Sequence, residues 1–190
     1  DGVDDAWDRF DGGFAEYATV PESFAYAIPG AFSDVEATPL LCAGIIGYRA
    51  LTMAAVPARG RLGVYGFGSS AHVTVQVARA RGCEIYVCTR GASHRDLARR
   101  LGAAWTGDLA EPMPEPADGI IVFAPVGDLV PLALRNLAKG GTLVLAGIYM
   151  SPIPVLEYRD LFFERTIRTV TGNTRADGGA LLEEEARIPI

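Results

Sequence analysis

The chain has 190 residues, 49% of them hydrophobic and 21% charged, and carries a formal net charge of −6. That is enough for one globular domain, or one with an appendage, and the acidity argues against nucleic acid or an anionic membrane surface as a partner. Its three cysteines, Cys42, Cys83 and Cys88, form no Cys-x-x-Cys pair, which argues against a disulfide framework or a self-contained zinc knuckle and points to a reducing cytoplasm.

Residues 1–12 hold five Asp and read as a frayed end. From Gly12 to Pro21 the pattern alternates, Phe14, Ala18 and Val20 against Tyr17, which predicts a strand. That strand has no neighbour before it, so the chain is expected to start inside a larger protein. Thr38 is expected to cap a helix with Pro39 at its first position, and Leu41, Ile45, Tyr48, Leu51, Thr52 and Ala55 follow at helical spacing up to Pro57. Cys42 then falls in the first helical turn. Two readings stay open for it: a thiolate stabilised by the helix dipole, or a small buried apolar side chain. No apolar run reaches the roughly 20 residues of a bilayer span, so no membrane partner is expected, and no cleavable signal opens the sequence.

The stretch from Leu62 to His72 organises the rest. Leu62-Gly63-Val64-Tyr65 is a short apolar run that ends in a glycine turn, and thirteen residues without Gly or Pro follow from Ser69. Strand, turn and helix then carry Gly-x-Gly-x-x-Ala at Gly66, Gly68 and Ala71, the fingerprint of a dinucleotide site. Gly66 permits the turn, Gly68 lets backbone approach a pyrophosphate, and Ala71 lets helix and strand pack closely. The amides of Ser69, Ser70 and Ala71 would face the phosphates. Val and Thr make the segment up to Arg81 a poor helix by propensity, so packing of Val73, Val77 and Ala80 must hold it.

Downstream, strands and helices alternate. Cys83–Cys88 is a strand, His94–Leu101 a polar helix stopped by Gly102, and 108–116 a proline-rich surface loop. Gly119–Phe123 is apolar throughout, as a strand buried on both faces requires. Asp128 is expected to cap a helix to Lys139, stopped by Gly140-Gly141, before a buried strand at Thr142–Ala146. A short helix over Tyr158–Glu164, a strand over Thr166–Thr171 and a last helix, capped by Thr174 or Asp177 and reaching Ala186, complete the chain. This is an α/β chain with a doubly wound parallel sheet, the Rossmann arrangement. Such sheets bind ligands at the carboxyl ends of their strands, which assigns the loops Phe123-Ala124-Pro125-Val126 and Ala146-Gly147-Ile148 to the ribose and nicotinamide.

An NAD site of this kind ends its second strand with an acid that holds the ribose hydroxyl. Here that place reads Cys88-Thr89-Arg90, with no acid between Glu84 and Asp96. Between Arg79 and Arg100 stand six arginines and two acids. Thr89, Arg90 and Arg95 are therefore the candidates for a 2′-phosphate, and NADP is expected with NAD as the alternative. Arg99 and Arg100 read as a solvated helix face. The missing acid also makes a methyltransferase a poorer reading.

Several pieces together resemble the zinc-type, medium-chain alcohol dehydrogenases: Gly12-Gly13-Phe14-Ala15-Glu16-Tyr17 with Pro21-Glu22, Leu40-Leu41-Cys42-Ala43-Gly44 with Tyr48-Arg49-Ala50-Leu51, Gly66-Phe67-Gly68, Leu101-Gly102-Ala103 and Gly140-Gly141-Thr142. The resemblance implies that Cys42 is a catalytic residue and metal ligand, the third protein ligand of a zinc that polarises an alcohol while hydride passes to the cofactor. The family's other ligands, a Cys and a His-Glu pair, and its four-cysteine lobe have no counterpart in this sequence, and His72 and His94 do not replace them. The resemblance also divides the chain, 1–30 being a remnant of a GroES-like catalytic domain and 31–190 an NAD(P)-binding domain. The closing Arg187-Ile188-Pro189-Ile190 stops where the family chain would return to its first domain. It further implies an alcohol or aldehyde substrate and a homodimer, or larger homo-oligomer, formed through the 166–171 edge strand. As given, the chain is expected to bind nucleotide without turning over alcohol. Two rivals remain, a zinc-free quinone or enoyl reductase of the same superfamily and a nucleotide-binding regulatory module without chemistry.

Overall fold

Six strands form one parallel sheet in the order β3-β2-β1-β4-β5-β6 in the computed structural model, which describes residues 13–188. They are β1 (Arg61–Tyr65), β2 (Glu84–Cys88), β3 (Trp105–Gly107), β4 (Ala117–Val122), β5 (Leu137–Leu145) and β6 (Thr166–Thr169). The helices are α1 (Asp34–Pro39), α2 (Ile45–Ala54), α3 (Ser69–Ala80), α4 (Ala92–Arg100), α5 (Leu129–Asn136), α6 (Tyr158–Leu161) and α7 (Arg175–Glu185). Strand order reverses between β1 and β4, the switch point of a doubly wound sheet.

The two faces of the sheet follow from alternation along each strand. Leu62, Val64, Ile85, Val87, Ile121 and Val144 pack on one face with α2, α3, α4 and α7. Tyr65, Tyr86, Cys88, Ile120, Val122, Leu143 and Leu145 pack on the other with α5. Each buried aliphatic side chain contributes about 1.5–3 kcal/mol, which is how α3 overcomes its poor propensity. Ala71, Thr74, Val75, Val77 and Ala78 form its inward face. Val73 is half-buried and Ala80 exposed, so the helix is rotated from the sequence expectation.

Other expectations need correction. Residues 13–21 form no strand, only coil and bends followed by a short 3-10 turn at Glu22–Phe24. Phe14 and Tyr17 are exposed there, and alternation without a partner ladder has nothing to pair with. The acidic start and Gly12, with the closing Pro189-Ile190, lie outside the described residues. The first long helix begins at Asp34, not at Pro39, because Ser33 and Glu36 form a reciprocal capping box. A π-helical turn, Leu40–Gly44, joins α1 to α2 just after Pro39, and the Ile45 N–H reaches back to the Leu40 carbonyl. Cys42 thus sits in that turn, not at a helix start, so the dipole argument lapses. Its side chain is exposed, which also removes the buried reading.

The continuous helix Asp34–Ala54 reaches the length and mean hydropathy (1.2) of a membrane span, which the run-length count did not foresee. Its buried residues, Leu40, Ile45, Ala50, Leu51 and Ala54, are instead built into the core shared with α3 and α7. Further along, α5 ends at Asn136 and β5 starts at once, because Leu137 pairs with Ala117 and is fully buried. Asn136 pins this junction: its amide donates to the Tyr65 hydroxyl at 2.8 Å and its oxygen accepts from the Met113 N–H at 3.0 Å. Asp128 occupies the N-cap place of α5, but its side chain makes no capping bond. The three-residue β3 was not anticipated.

Helix α7 closes the first face. Leu181 and Leu182 are buried, Thr174 caps it, Arg49 Nη1 lies 2.8 Å from Asp177 Oδ2, and the Arg81 fork meets Glu184 through two contacts of 2.8 Å. That fork holds the Glu184 carboxyl below its ordinary pKa. Glu185 is the opposite case. It is 1% exposed, and its Oε1 has no partner among the described residues. Burial first, and the Glu184 charge second, raise its pKa from 4.5 to about 7. The folded pKa lies above the unfolded one, so Glu185 supports the fold fully below about pH 4.5 and that support is lost as pH rises towards 7. Glu185→Gln is therefore expected to gain stability over the parent on the order of 2–3 kcal/mol at about pH 8, and little near pH 4.5. Urea melts of both proteins across that range check it; a difference that does not change with pH would contradict it.

Candidate nucleotide cleft

Past Tyr65 the chain turns sharply. Gly66 takes φ 85° and its N–H donates to the Cys88 carbonyl at 2.9 Å. A Cβ here would lie 2.9 Å from the backbone nitrogen of Ala124, so both conformation and space exclude a side chain. Gly68 has a different role. Its φ of −105° suits any residue, and a Cβ would meet no protein atom within 4 Å. It would project into open space. Helix α3 starts one residue later, and no side chain caps its first turn. The amides of Ser69, Ser70 and Ala71, which have no intrahelical partner, are left beside an open cleft.

That cleft has a volume of about 690 Å³ and runs across the carboxyl ends of β1, β2, β4 and β5. The structure brings together Gly66, Gly68, Ser69, Ser70 and Ala71 from the first turn, Thr89 and Arg90 from the second strand end, Phe123, Ala124 and Pro125 from the third, and Ala146, Gly147 and Ile148 from the fourth. Hydrogen bonds fix the frame: Phe123 N–H and Ala124 N–H donate to the Tyr65 carbonyl at 2.9 and 3.3 Å, and Thr89 N–H donates to the Gly107 carbonyl at 3.0 Å. Arg95 is the one candidate for cofactor binding that does not line the cleft. Its guanidinium turns back to donate to the Thr89 carbonyl at 3.1 Å and lies 3.6 Å from Asp108.

The lining carries charge of one sign only. Arg90 is exposed and makes no ion pair among the described residues, and no carboxylate lines the cleft. Val126 lines it with the rest of its loop, and Phe67, His94, Leu109 and Leu129 also line it without having been singled out from the sequence. For His94 a signal existed, since it stands four residues after Arg90, in the first turn of the helix that follows β2. Phe67 packs on His72, ring centroids 4.6 Å apart. Beneath the cleft, burial pushes the Cys88 thiol up to about 12, so it stays an inert core group.

Cys42 is not among the residues that line the cleft. No group of three or more His, Cys, Asp or Glu among the described residues could hold a metal ion. Zinc chelation in closed protein sites takes three or four such ligands, so the described residues do not by themselves fit a zinc ion.

Comparison with known proteins places this geometry. The pattern of the "Zinc-binding dehydrogenase" family matches residues 71–186. The chain is 56% identical over 182 residues to the "Probable alcohol dehydrogenase AdhA" of Mycobacterium tuberculosis, covering 95% of this chain and 52% of that protein. Among solved structures, a thermostable alcohol dehydrogenase from Pyrobaculum aerophilum superimposes with a TM-score of 0.79 at 27% identity, over 94% of this chain and 54% of that one. A putative zinc-binding dehydrogenase from Sinorhizobium meliloti 1021, bound to NADP, gives 0.78 at 27% identity, over 95% and 57%. The chain spans about half the length of the curated relatives it matches. With its six-stranded parallel sheet and glycine turn, it belongs to the zinc-type, medium-chain alcohol dehydrogenase family, and corresponds to that family's cofactor domain.

Proposed function

We propose that residues 31–190 form the NAD(P)-binding domain of an alcohol dehydrogenase that interconverts a small alcohol and its aldehyde or ketone, with 1–30 as the remnant of a catalytic domain. NADP is the preferred cofactor and NAD the alternative. The observation that carries this reading is the uncapped start of α3 beside a cleft that Gly68 keeps clear and no carboxylate lines. The likeness to a neighbour solved with NADP supports the choice of cofactor.

When bound, the nicotinamide supplies the hydride acceptor or donor. The chain's own part is to bind and orient. The amides of Ser69, Ser70 and Ala71 hold the diphosphate, aided by the helix dipole. Thr89 and Arg90 meet the adenosine ribose and its 2′-phosphate, while Phe123, Ala124, Pro125, Ala146, Gly147 and Ile148 wall off the ribose and ring on the far side of β1. Cys42 offers one thiolate to a zinc whose other ligands would come from outside the described residues. β6, an edge strand with Thr166, Arg168 and Thr169 exposed, would pair with its copy in a homodimer, and the setting is cytoplasmic.

Three measurements test the reading. Gly68→Ala is expected to leave the chain folded with at most a few degrees lost in melting temperature, since a Cβ at this N-cap meets no protein atom within 4 Å, yet to weaken NADP about tenfold or more in a calorimetric titration. Undiminished binding would remove the diphosphate from this turn. Arg90→Gln is expected to weaken NADP about five- to tenfold and NAD less than about twofold; equal losses would overturn the choice of cofactor. Zinc content measured on the protein made from its full reading frame is expected to fall on Cys42→Ser. Metal retained unchanged would refute the ligand assignment, and no metal in either protein would favour the zinc-free reductase.

A further inference from the structure

The far wall of the cleft is made by two loops, 123–126 after β4 and 146–148 after β5, and neither offers a polar side chain. A ligand at that end is therefore oriented by the shape and backbone of the wall. The sheet itself stops short of it: the last β4–β5 pair is Val122 with Leu145, and the Ala146 N–H donates to the Val122 carbonyl at 2.9 Å. Past that point Ser151 joins the loops. Its Oγ accepts from the Gly127 N–H at 2.8 Å and its own N–H donates to the Pro125 carbonyl at 3.2 Å, so it grips the β4 loop on both sides of Val126. The approach is close. A Cβ on Gly147 would lie 2.9 Å from Pro125 Cα, and one on Gly127 would lie 2.6 Å from the Ser151 carbonyl oxygen. Gly127 is buried, and no side chain caps the start of α5 just after it. The Ser151 hydroxyl is thus the partner that a buried amide needs. Ser151 itself is exposed and does not line the cleft.

We propose that Ser151 is a positioning residue for the cofactor: it locks the two loops into one wall, against which the nicotinamide and its ribose are ordered, without touching either. The inference rests on the nicotinamide-cofactor reading above and adds to it a residue that acts only through Pro125 and Gly127. A wall already fixed needs no ordering when a ligand arrives. A loosened one must be ordered on binding, and that cost subtracts from affinity. The effect is confined to one half of the dinucleotide. On the same reading the adenosine half and the diphosphate meet Arg90 and the Ser69–Ala71 amides, at the ends of β2 and β1. No hydrogen bond from Ser151 reaches those residues among the described ones.

The test compares two ligands by calorimetric titration of the chain: NADP, and 2′-phospho-ADP, which keeps the adenosine half and the diphosphate but lacks the second ribose and the ring. Ser151→Ala is expected to weaken NADP about three- to tenfold and 2′-phospho-ADP less than about twofold. Ser151→Thr keeps the hydroxyl acceptor and is expected to bind both within about twofold of the parent. A merely structural role would lower both affinities together, so equal losses would overturn the inference. Undiminished NADP binding in Ser151→Ala would do the same, as would a folded Thr variant that behaves like the Ala one. Circular dichroism confirms that each variant is folded. Where Ser151→Ala is not, hydrogen exchange of the Gly127 amide in the parent decides: slow exchange without nucleotide is expected, and exchange as fast as in an open loop would refute the clamp. If the parent binds neither ligand, the cofactor reading itself fails and takes this inference with it. If it binds 2′-phospho-ADP as tightly as NADP, the diphosphate site stands, but the wall orders nothing and the role of Ser151 falls.

Discussion

The architecture turns on one close approach. Gly66 passes so near the Ala124 backbone that a single methyl group would not fit, and it does so in the left-handed region where side chains are strained. The same few atoms bind three strands together. The Tyr65 carbonyl takes the N–H groups of Phe123 and Ala124 from β4, and the Gly66 N–H is given to Cys88 of β2. Because the turn is anchored on both sides, α3 must leave the sheet with its first amides open rather than folded back on protein. A looser turn would cost the cleft its shape before it cost the sheet its stability.

Charge is divided between fold and cleft in a way that counting residues does not show. The arginine-rich window between Arg79 and Arg100 looks like one basic patch in the sequence. In space it disperses. Arg81 binds Glu184 and secures α7, Arg99 pairs with Asp96 in solvent, and Arg95 braces the Thr89 carbonyl. Of these four with Arg90, only Arg90 lines the cleft. Sequence order gave Arg90 its place because it follows directly on a buried strand, whose end position is fixed by register: Cys88 pairs with Tyr65. No comparable register fixes a long side chain on α4, and Arg95 went to the nearest carbonyl.

The same distinction explains what was legible elsewhere. Strands buried on both faces announce themselves as apolar runs, and β1, β2 and β4 were found within a few residues at each end, whereas β5 begins at Leu137, well before the expected Thr142. β3, three residues long, carries too little pattern to detect. The alternating stretch after Gly12 carried pattern but no partner, and periodicity alone does not make a ladder. At the long first helix two start signals competed. The Ser33–Glu36 box satisfies free amides at both ends of the pair, whereas Thr38 merely donates its hydroxyl to the Asp34 carbonyl inside the helix already formed. At Asn136 the decision was tertiary, since Tyr65 and Met113 claim its side chain from other parts of the chain.

These observations also separate what binds from what selects. The proposed diphosphate site is made of backbone, two glycines and an open helix start, so it would survive changes in almost any side chain, and it leaves a mark in the sequence that a short pattern captures. The ionisable side chains of the cleft, Arg90 and His94, stand at its rim, both exposed and neither part of the core. Their replacement costs the core nothing, and for that reason the fold places no constraint on them. On the cofactor reading proposed above, a cleft built this way would change its preferred nucleotide by one or two substitutions without disturbing the sheet. The substrate end has no such fingerprint within the described residues, where Ile148 and Tyr149 stand exposed beyond β5. Their apolar surface carries no chemical signature, and so the class of cofactor is readable from this chain in a way that the identity of a substrate is not.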